Sequence, residues 1–300
     1  MESVLIVGCG HIGRRVAVQL QDRGQHVTGM VRSAESVARL RALGIDGLCH
    51  DLDAGARHIP GSEAFGTIGY FAPPPSSGTQ DTRMRRFLES FDSTALPRRI
   101  VYISTSAVYG DCHGDWITEE QPAQPTTERG LRRLDAERQL QSWVARHGVE
   151  WVILRVPGIY GPGKLPLERL RNRLPVLREA DAPYTNRIHA DDLAAICVAA
   201  LDDEHHNTIY NVSDGHPSTM TDYFFRVAEA AGLPRPPVVS REEAQQVLSG
   251  GMLSFLQDSR RMDNQKLMRD LGVTLRYPDL DTGLRSCFPS SSVVTNSGHP

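Results

Sequence analysis

Three glycines near the start of the chain, Gly8, Gly10 and Gly13, stand in G-x-G-x-x-G spacing directly after the apolar run Val4-Leu5-Ile6-Val7. A helical repeat follows at once, with Ile12, Val16 and Leu20 at i, i+4 and i+8, and it stops at Gly24. Glycine at 8 permits a tight turn, glycine at 10 lets an anion approach the backbone, and glycine at 13 lets the helix pack on the strand. The loop, which includes His11 and Ile12, then points helix N–H groups at a pyrophosphate. A strand before it, a helix after it and a second strand at Gln25–Val31 are the context that this motif requires. The pattern implies the binding of a dinucleotide.

The second strand, HVTGMV, ends in Arg32-Ser33, where a carboxylate would be needed to accept the ribose hydroxyls of NAD. A guanidinium there attracts a 2′-phosphate instead, so NADP is expected over NAD.

The elements that position these residues are legible in the hydrophobic rhythm. The chain has 300 residues, 40% hydrophobic and 23% charged, with a net charge of -3, which gives no reason to expect nucleic acid or an anionic membrane as partner. No apolar run approaches a membrane span, and no signal peptide is read ahead of the first strand. The five cysteines are odd in number and scattered without C-x-x-C, as expected of reduced thiols in a cytoplasmic protein with neither disulfide nor metal site. Ser33 can cap a helix carrying Val37, Leu40 and Leu43, and a short strand near Gly47–Cys49 follows. Thr67–Ala72 reads as a strand ended by Pro73-Pro74-Pro75. Met84, Phe87, Leu88 and Phe91 mark a helix, Arg99–Ile103 a strand, Glu128–His147 the longest helix and Trp151–Arg155 another strand.

Repeated βα units of this kind predict an α/β fold, a Rossmann-type doubly wound parallel sheet. After Pro157 the rhythm breaks. A helix at Asp191–Leu201, a strand at Thr208–Val212 and a helix at Thr219–Ala231 suggest a smaller C-terminal substrate lobe interleaved with the last pieces of the sheet. The expected division is 1–156, with 186–215 returning to it, as the nucleotide-binding domain, and 157–185 with 216–288 as the lobe. Residues 289–300, small and polar with few anchors, are expected to be disordered.

At VYISTSAVYG (Val101–Gly110) the chain resembles the extended short-chain dehydrogenase/reductase superfamily, in its NAD-dependent epimerase/dehydratase branch. The likeness continues through HDLD, LRVPGIYGPG (Leu154–Gly163), RIHADDLA (Arg187–Ala194) and YNVSDG (Tyr210–Gly215), and so covers nearly the whole chain. It implies that Asp51, with Leu52, holds the adenine, that Phe71, Ala72 and Pro73 line the nicotinamide side, and that Pro157 meets the carboxamide end. It also implies that Thr105 hydrogen-bonds the reacting oxygen. The Asp-Glu pair with which family dehydratases follow that position is Ser106-Ala107 here, against a dehydratase. Asp191 or Asp192 is expected to cap a helix, and His189 to be a structural hydrogen-bonding residue.

The family's catalytic Tyr-x-x-x-Lys pair lies on a helix that ends in Glu. Anchored on Glu137, those positions hold Arg129 and Arg133, and the i, i+4, i+8 spacing keeps all three on one face. A phenol can pass a proton, whereas a guanidinium with pKa above about 12 donates hydrogen bonds and keeps its protons. Tyr160…Lys164 has the right spacing but falls in a Gly-Pro loop. Three substitutes for the acid remain open. Tyr109 could swing toward the nicotinamide, Tyr160 could face the substrate cleft, and Arg129 or Arg133 could polarise a carbonyl or clamp an anion. Each has a structural counterpart: packing for the tyrosines, a salt-bridge face with Glu137 for the arginines. Arg187 stands with Tyr160 on the expected substrate side.

Two functions follow. One is an NADP-dependent reductase or epimerase on a small carbonyl or sugar-derived substrate. The other is a non-catalytic NADP(H)-binding sensor or regulatory protein. Pairing of two copies as a homodimer, through the Met84–Phe91 and Leu131–Val144 helices, fits either.

Overall fold

The computed structural model describes residues 3–54, 58–202 and 204–288; the tail expected at 289–300 lies outside them. Seven parallel strands form the central sheet: β1 (Ser3–Val7), β2 (Val27–Val31), β3 (Asp46–Cys49), β4 (Phe65–Tyr70), β5 (Arg99–Thr105), β6 (Glu150–Val156) and β7 (Thr208–Asn211). Their order is β3-β2-β1-β4-β5-β6-β7, so the winding reverses between β1 and β4. A ligand crevice belongs at that reversal, off the carboxyl ends of the strands.

The helices follow the apolar faces read from the sequence. In α1 (His11–Asp22), Ile12, Val16 and Leu20 are buried, and so are Gly13 and Ala17. Ser33 caps α2 (Ala34–Arg41), but the helix closes before Leu43, which is half exposed rather than packed. Asp81 caps α3 (Thr82–Glu89), and Thr127 caps α4 (Glu128–His147), which Gly148 ends in a left-handed turn. Then α5 (Ala190–Asp202) covers the sheet beside α1, and α6 (Met220–Ala230) leads into the lobe. Strands buried on both faces need continuous apolar runs, and β1 has Val4, Leu5, Ile6 and Val7 all buried.

One face of the sheet packs on α1 and α5, the other on α3 and α4, where Phe87, Leu140 and Trp143 are buried. A third cluster, with Tyr160, Leu170, Val176, Phe224 and Leu284, fills the lobe. One expectation is corrected. Leu267 and Leu271, assigned to the lobe, are buried with Val4 and Ile6 in the sheet core, and Arg261–Met262 pairs with Trp116–Ile117. No described helix is long and apolar enough to cross a membrane.

Register decides what meets at the crevice. Val7 lies beside Tyr70, Tyr70 beside Tyr102, and Thr105 beside Val156. The glycine loop, residues 71–73, Thr105 and Pro157 therefore emerge from one edge of the sheet.

Candidate active site

The glycine loop shows what each glycine is for. Gly8 has φ +82°, and a Cβ on it would lie 2.5 Å from the Ala72 backbone nitrogen. A Cβ on Gly13 would meet Ile6 Cγ2 at 2.9 Å and the Gly8 carbonyl oxygen at 3.1 Å. Packing demands both glycines. A Cβ on Gly10 would meet only the Gly8 carbonyl oxygen, at 3.9 Å, so side-chain packing does not require glycine there. What Gly10 leaves open is the space before α1, whose N-terminus no side chain caps. Side chains do cap α2, α3, α4 and α6. The first-turn N–H groups of His11, Ile12 and Gly13 have no intrahelical acceptor and stay available to an anion.

A cavity of about 440 Å³ opens there, and its lining includes Gly8, Gly10, Arg32, Ser33, Asp51, Leu52, Ala72 and Pro73. Arg32 is exposed and has no hydrogen bond or ion pair among the described residues. The Ser33 hydroxyl is spent on the Ser36 backbone N–H as the cap of α2. Asp51 turns one oxygen back to the Asp53 N–H, leaving the other for a ligand. Phe71 packs against the sheet core instead of lining the cavity, and Ile12 and Gly13 are buried beneath it.

Sequence reasoning missed two residues here. His50 is 9% exposed, and its Nε2 has no partner. Burial keeps that ring neutral by lowering its pKa. The only sequence signal was its place just before Asp51. Arg83 donates to both Asp53 oxygens, at 2.5 to 3.1 Å, and to the Pro73 and Pro74 carbonyls. It stitches the two loops at the cavity mouth, and its hydrogen bond holds the Asp53 carboxyl below the usual range. The open cradle at Gly10, the orphaned His50 nitrogen and the unpaired Arg32 together fit a pyridine dinucleotide.

A second cavity, about 210 Å³, brings together Thr105, Arg129, Pro157 and Arg187, four residues expected in the site. Thr105 Oγ1 accepts from the Ala107 N–H at 3.3 Å, starting a single 3-10 turn over Ser106–Tyr109. Its own proton is left to donate. The Arg129 guanidinium lies 3.8 Å over the Phe255 ring. Arg187 stacks 3.9 Å from the Tyr223 ring and donates to the Asn186 carbonyl. Tyr184, Asp258 and Arg260 also line this cavity; they come from the lobe, where no motif announced them.

Three expectations are corrected. Tyr109 does not face the cavity. A 3-10 turn repeats every three residues, so position 109 is a third of a turn round from Thr105. Its buried hydroxyl donates to Asn211 Oδ1 at 2.6 Å, and burial pushes its pKa up to about 12. Tyr160 is fully buried in the lobe core and donates to the Asp279 carbonyl; burial raises its pKa as well. Arg133 reaches beneath β5, donating to the Tyr102 hydroxyl and the Ile103 carbonyl. The salt-bridge face with Glu137 does not form either, because Glu137 is buried and bound twice by Arg155, at 2.8 and 3.2 Å. The Ser104 hydroxyl donates to the same carboxylate at 2.5 Å.

Asp191 and Asp192 are not caps. Asp191 pairs with Arg15 at 2.8 Å, and Asp192 accepts the N–H groups of Arg276 and Tyr277. His189 is structural: its Nδ1 accepts the Asp191 N–H, and its Nε2 meets Ser286 Oγ at 3.2 Å. With Nδ1 accepting, the proton sits on Nε2, so this Ser-His-Asp line-up cannot take a proton from serine.

Fold and first cavity together define a Rossmann-type dinucleotide-binding protein. The chain belongs to the NAD(P)H-binding family, whose model matches residues 8–204. It is 27% identical to Protein YeeZ of Escherichia coli strain K12, across 93% of this chain and 97% of that one. It is 23% identical to the UDP-glucose 4-epimerase of Corynebacterium glutamicum, across 100% and 98%. Among solved structures, a functionally unknown conserved protein from Silicibacter pomeroyi superposes with a TM-score of 0.80 at 28% identity, covering 96% of this chain and 98% of that one. Relatives and structural neighbours are those of the NAD-dependent epimerase/dehydratase family, the extended short-chain dehydrogenases/reductases.

Proposed function

We propose that the chain is an NADP(H)-dependent oxidoreductase, a reductase or epimerase that acts on a small carbonyl or sugar-derived substrate. The observation that carries the cofactor choice is Arg32, exposed and unpaired among the described residues, in the cavity at the end of β2. It gives a 2′-phosphate a charged partner and gives the bare ribose hydroxyls of NAD none. Asp51 and Leu52 take the adenine edge, and the N-terminus of α1 takes the pyrophosphate.

A bound nicotinamide cofactor would supply hydride exchange with the substrate carbon. The chain's own residues handle the oxygen. Thr105 donates a hydrogen bond to it, and the Arg129 guanidinium stabilises negative charge as it develops. Arg129 cannot yield a proton at neutral pH, so the proton comes from water or from Tyr184, the phenol among the described residues of this cavity.

A second reading, a sensor that holds NADP(H) without turnover, is favoured by the arginines at 129 and 133 and by the burial of Tyr109 and Tyr160. Fluorescence titration with NADPH and NADH, followed in the same cuvette by aldehydes, ketones and nucleotide sugars, separates the two. Consumption of one carbonyl compound supports the enzyme. Tight binding with none consumed supports the sensor. Binding of neither nucleotide overturns both.

A further inference from the structure

Resting on the reading of the second cavity as the substrate site, we propose that it takes a small carbonyl compound carrying its own anionic group, a carboxylate or phosphate ester, beside a planar apolar part. Nucleoside diphosphate sugars are excluded.

Three guanidiniums, Arg129, Arg187 and Arg260, line a cavity whose single carboxylate is Asp258. Arg260 is 7% exposed and donates to Asp258 Oδ2 at 2.8 Å, yet its Nε is buried without a partner. The Arg187 Nε is buried and unpartnered too. Three guanidiniums against one carboxylate leave the lining positive, and an oxyanion in the cavity gains charge-assisted hydrogen bonds from the N–H groups that face it. Arg187 lies against the backbone of Gly158, where a Cβ would collide with its guanidinium. The anion is thus held beside Pro157, next to the expected nicotinamide position.

The apolar part has its own seat. Phe255 is 50% exposed and Tyr184 38%, and both rings line the same cavity. Arg129 stacked on Phe255 extends that flat surface while its edge N–H groups stay free for the anion. Size sets the exclusion. The cavity is about 210 Å³, below the roughly 300–1,000 Å³ that a drug-sized ligand occupies. A nucleoside diphosphate sugar must seat a base, two sugars and two phosphates.

Calorimetric titration of the full chain saturated with NADP+ tests this with four probes: phenylpyruvate, phenacyl phosphate, UDP-glucose and the uncharged phenylacetone. Saturable binding of phenylpyruvate or phenacyl phosphate is expected, and which of them binds identifies the anion. Phenylacetone should bind at least about tenfold more weakly than the anion that binds, and UDP-glucose should give no saturable binding. Arg260→Leu and Arg187→Leu should each weaken that anion about tenfold to a hundredfold with NADP+ affinity retained. Should either variant fail to fold, Arg260→Lys keeps the charge, loses the fork, and should weaken the anion about tenfold. UDP-glucose binding as tightly as either anion, or phenylacetone binding equally well, overturns the proposal. So does silence from both anions on a protein that holds NADP+. A chain that fails to bind NADP+ overturns the cofactor reading instead.

Discussion

The two cavities open from the same edge of one sheet and are built in opposite ways. The first is made of backbone and short loops at strand ends, with glycines that keep space clear and one stray cation, Arg32, at its rim. The second is made of long side chains drawn from α4 and from segments around residues 184–187 and 255–260. Arg260 is paired with Asp258, Arg187 lies near the buried Asp214, and Thr105 follows Ser104, which binds the buried pair of Glu137 and Arg155. A ligand for the first cavity meets a site formed with the sheet itself, whereas a ligand for the second meets side chains placed by buried charges and by the pairing of lobe and sheet segments.

The sharpest way to break this contrast is at Glu137. Glu137→Gln leaves Arg155 as an uncompensated charge under α4 and should cost about 3–5 kcal/mol in urea denaturation. A loss below about 1 kcal/mol would show that the Arg155 charge is compensated without Glu137.

Next in size is Asp214, buried behind Arg187 and facing His216, Arg187 and Asp279, with its pKa raised to about 6 chiefly by burial. A carboxyl raised in the folded state contributes stability below its ordinary pKa near ~3.8 and loses it as pH climbs through about 6. Asp214→Asn keeps the acceptor for the His216 N–H and should add about 1–3 kcal/mol at pH 7.5 and almost nothing at pH 4. Denaturation curves at the two pH values check it, and an equal gain at both would contradict the linkage.

The glycines sharpen the other half. Gly8→Ala forces a clash with the Ala72 backbone and should lower stability by about 1–3 kcal/mol and abolish NADPH binding. Gly10→Ala, with nothing closer than 3.9 Å, should cost less stability than Gly8→Ala and still weaken NADPH at least about tenfold. Equal destabilisation by the two would mean that Gly10 serves packing. The smallest effect is at the rim. Arg32→Glu should weaken NADPH about tenfold and leave NADH nearly unchanged in fluorescence titration, and equal loss of both would remove Arg32 from the 2′-phosphate.

The same contrast explains what the sequence could tell. Gly8 and Gly10 could be placed because local rules govern them, a strand end followed by a turn that needs φ > 0, whereas Asp51 and Thr105 were placed by the family resemblance. Glu128–His147 was legible to the residue because Thr127 and Gly148 bracket it. Asp258, Arg260 and Phe255 were not, since their position depends on how 261–262 pairs with 116–117, a contact that spacing does not encode. Tyr109 misled because nearness to Thr105 in sequence does not say which way a 3-10 turn aims a side chain. Tyr160 misled because its motif names a residue type without saying which way the loop faces.

Strand β7 has a consequence for how the molecule is made. It pairs with β6, Thr208 beside Val152, only after the chain has run out through the lobe and returned. A closure that long pays its entropy before any contact rewards it. Until Thr208 arrives, strand β6 is an open sheet edge. A chain cut before Thr208 keeps the whole glycine loop and leaves that edge bare, a template for pairing with its neighbours.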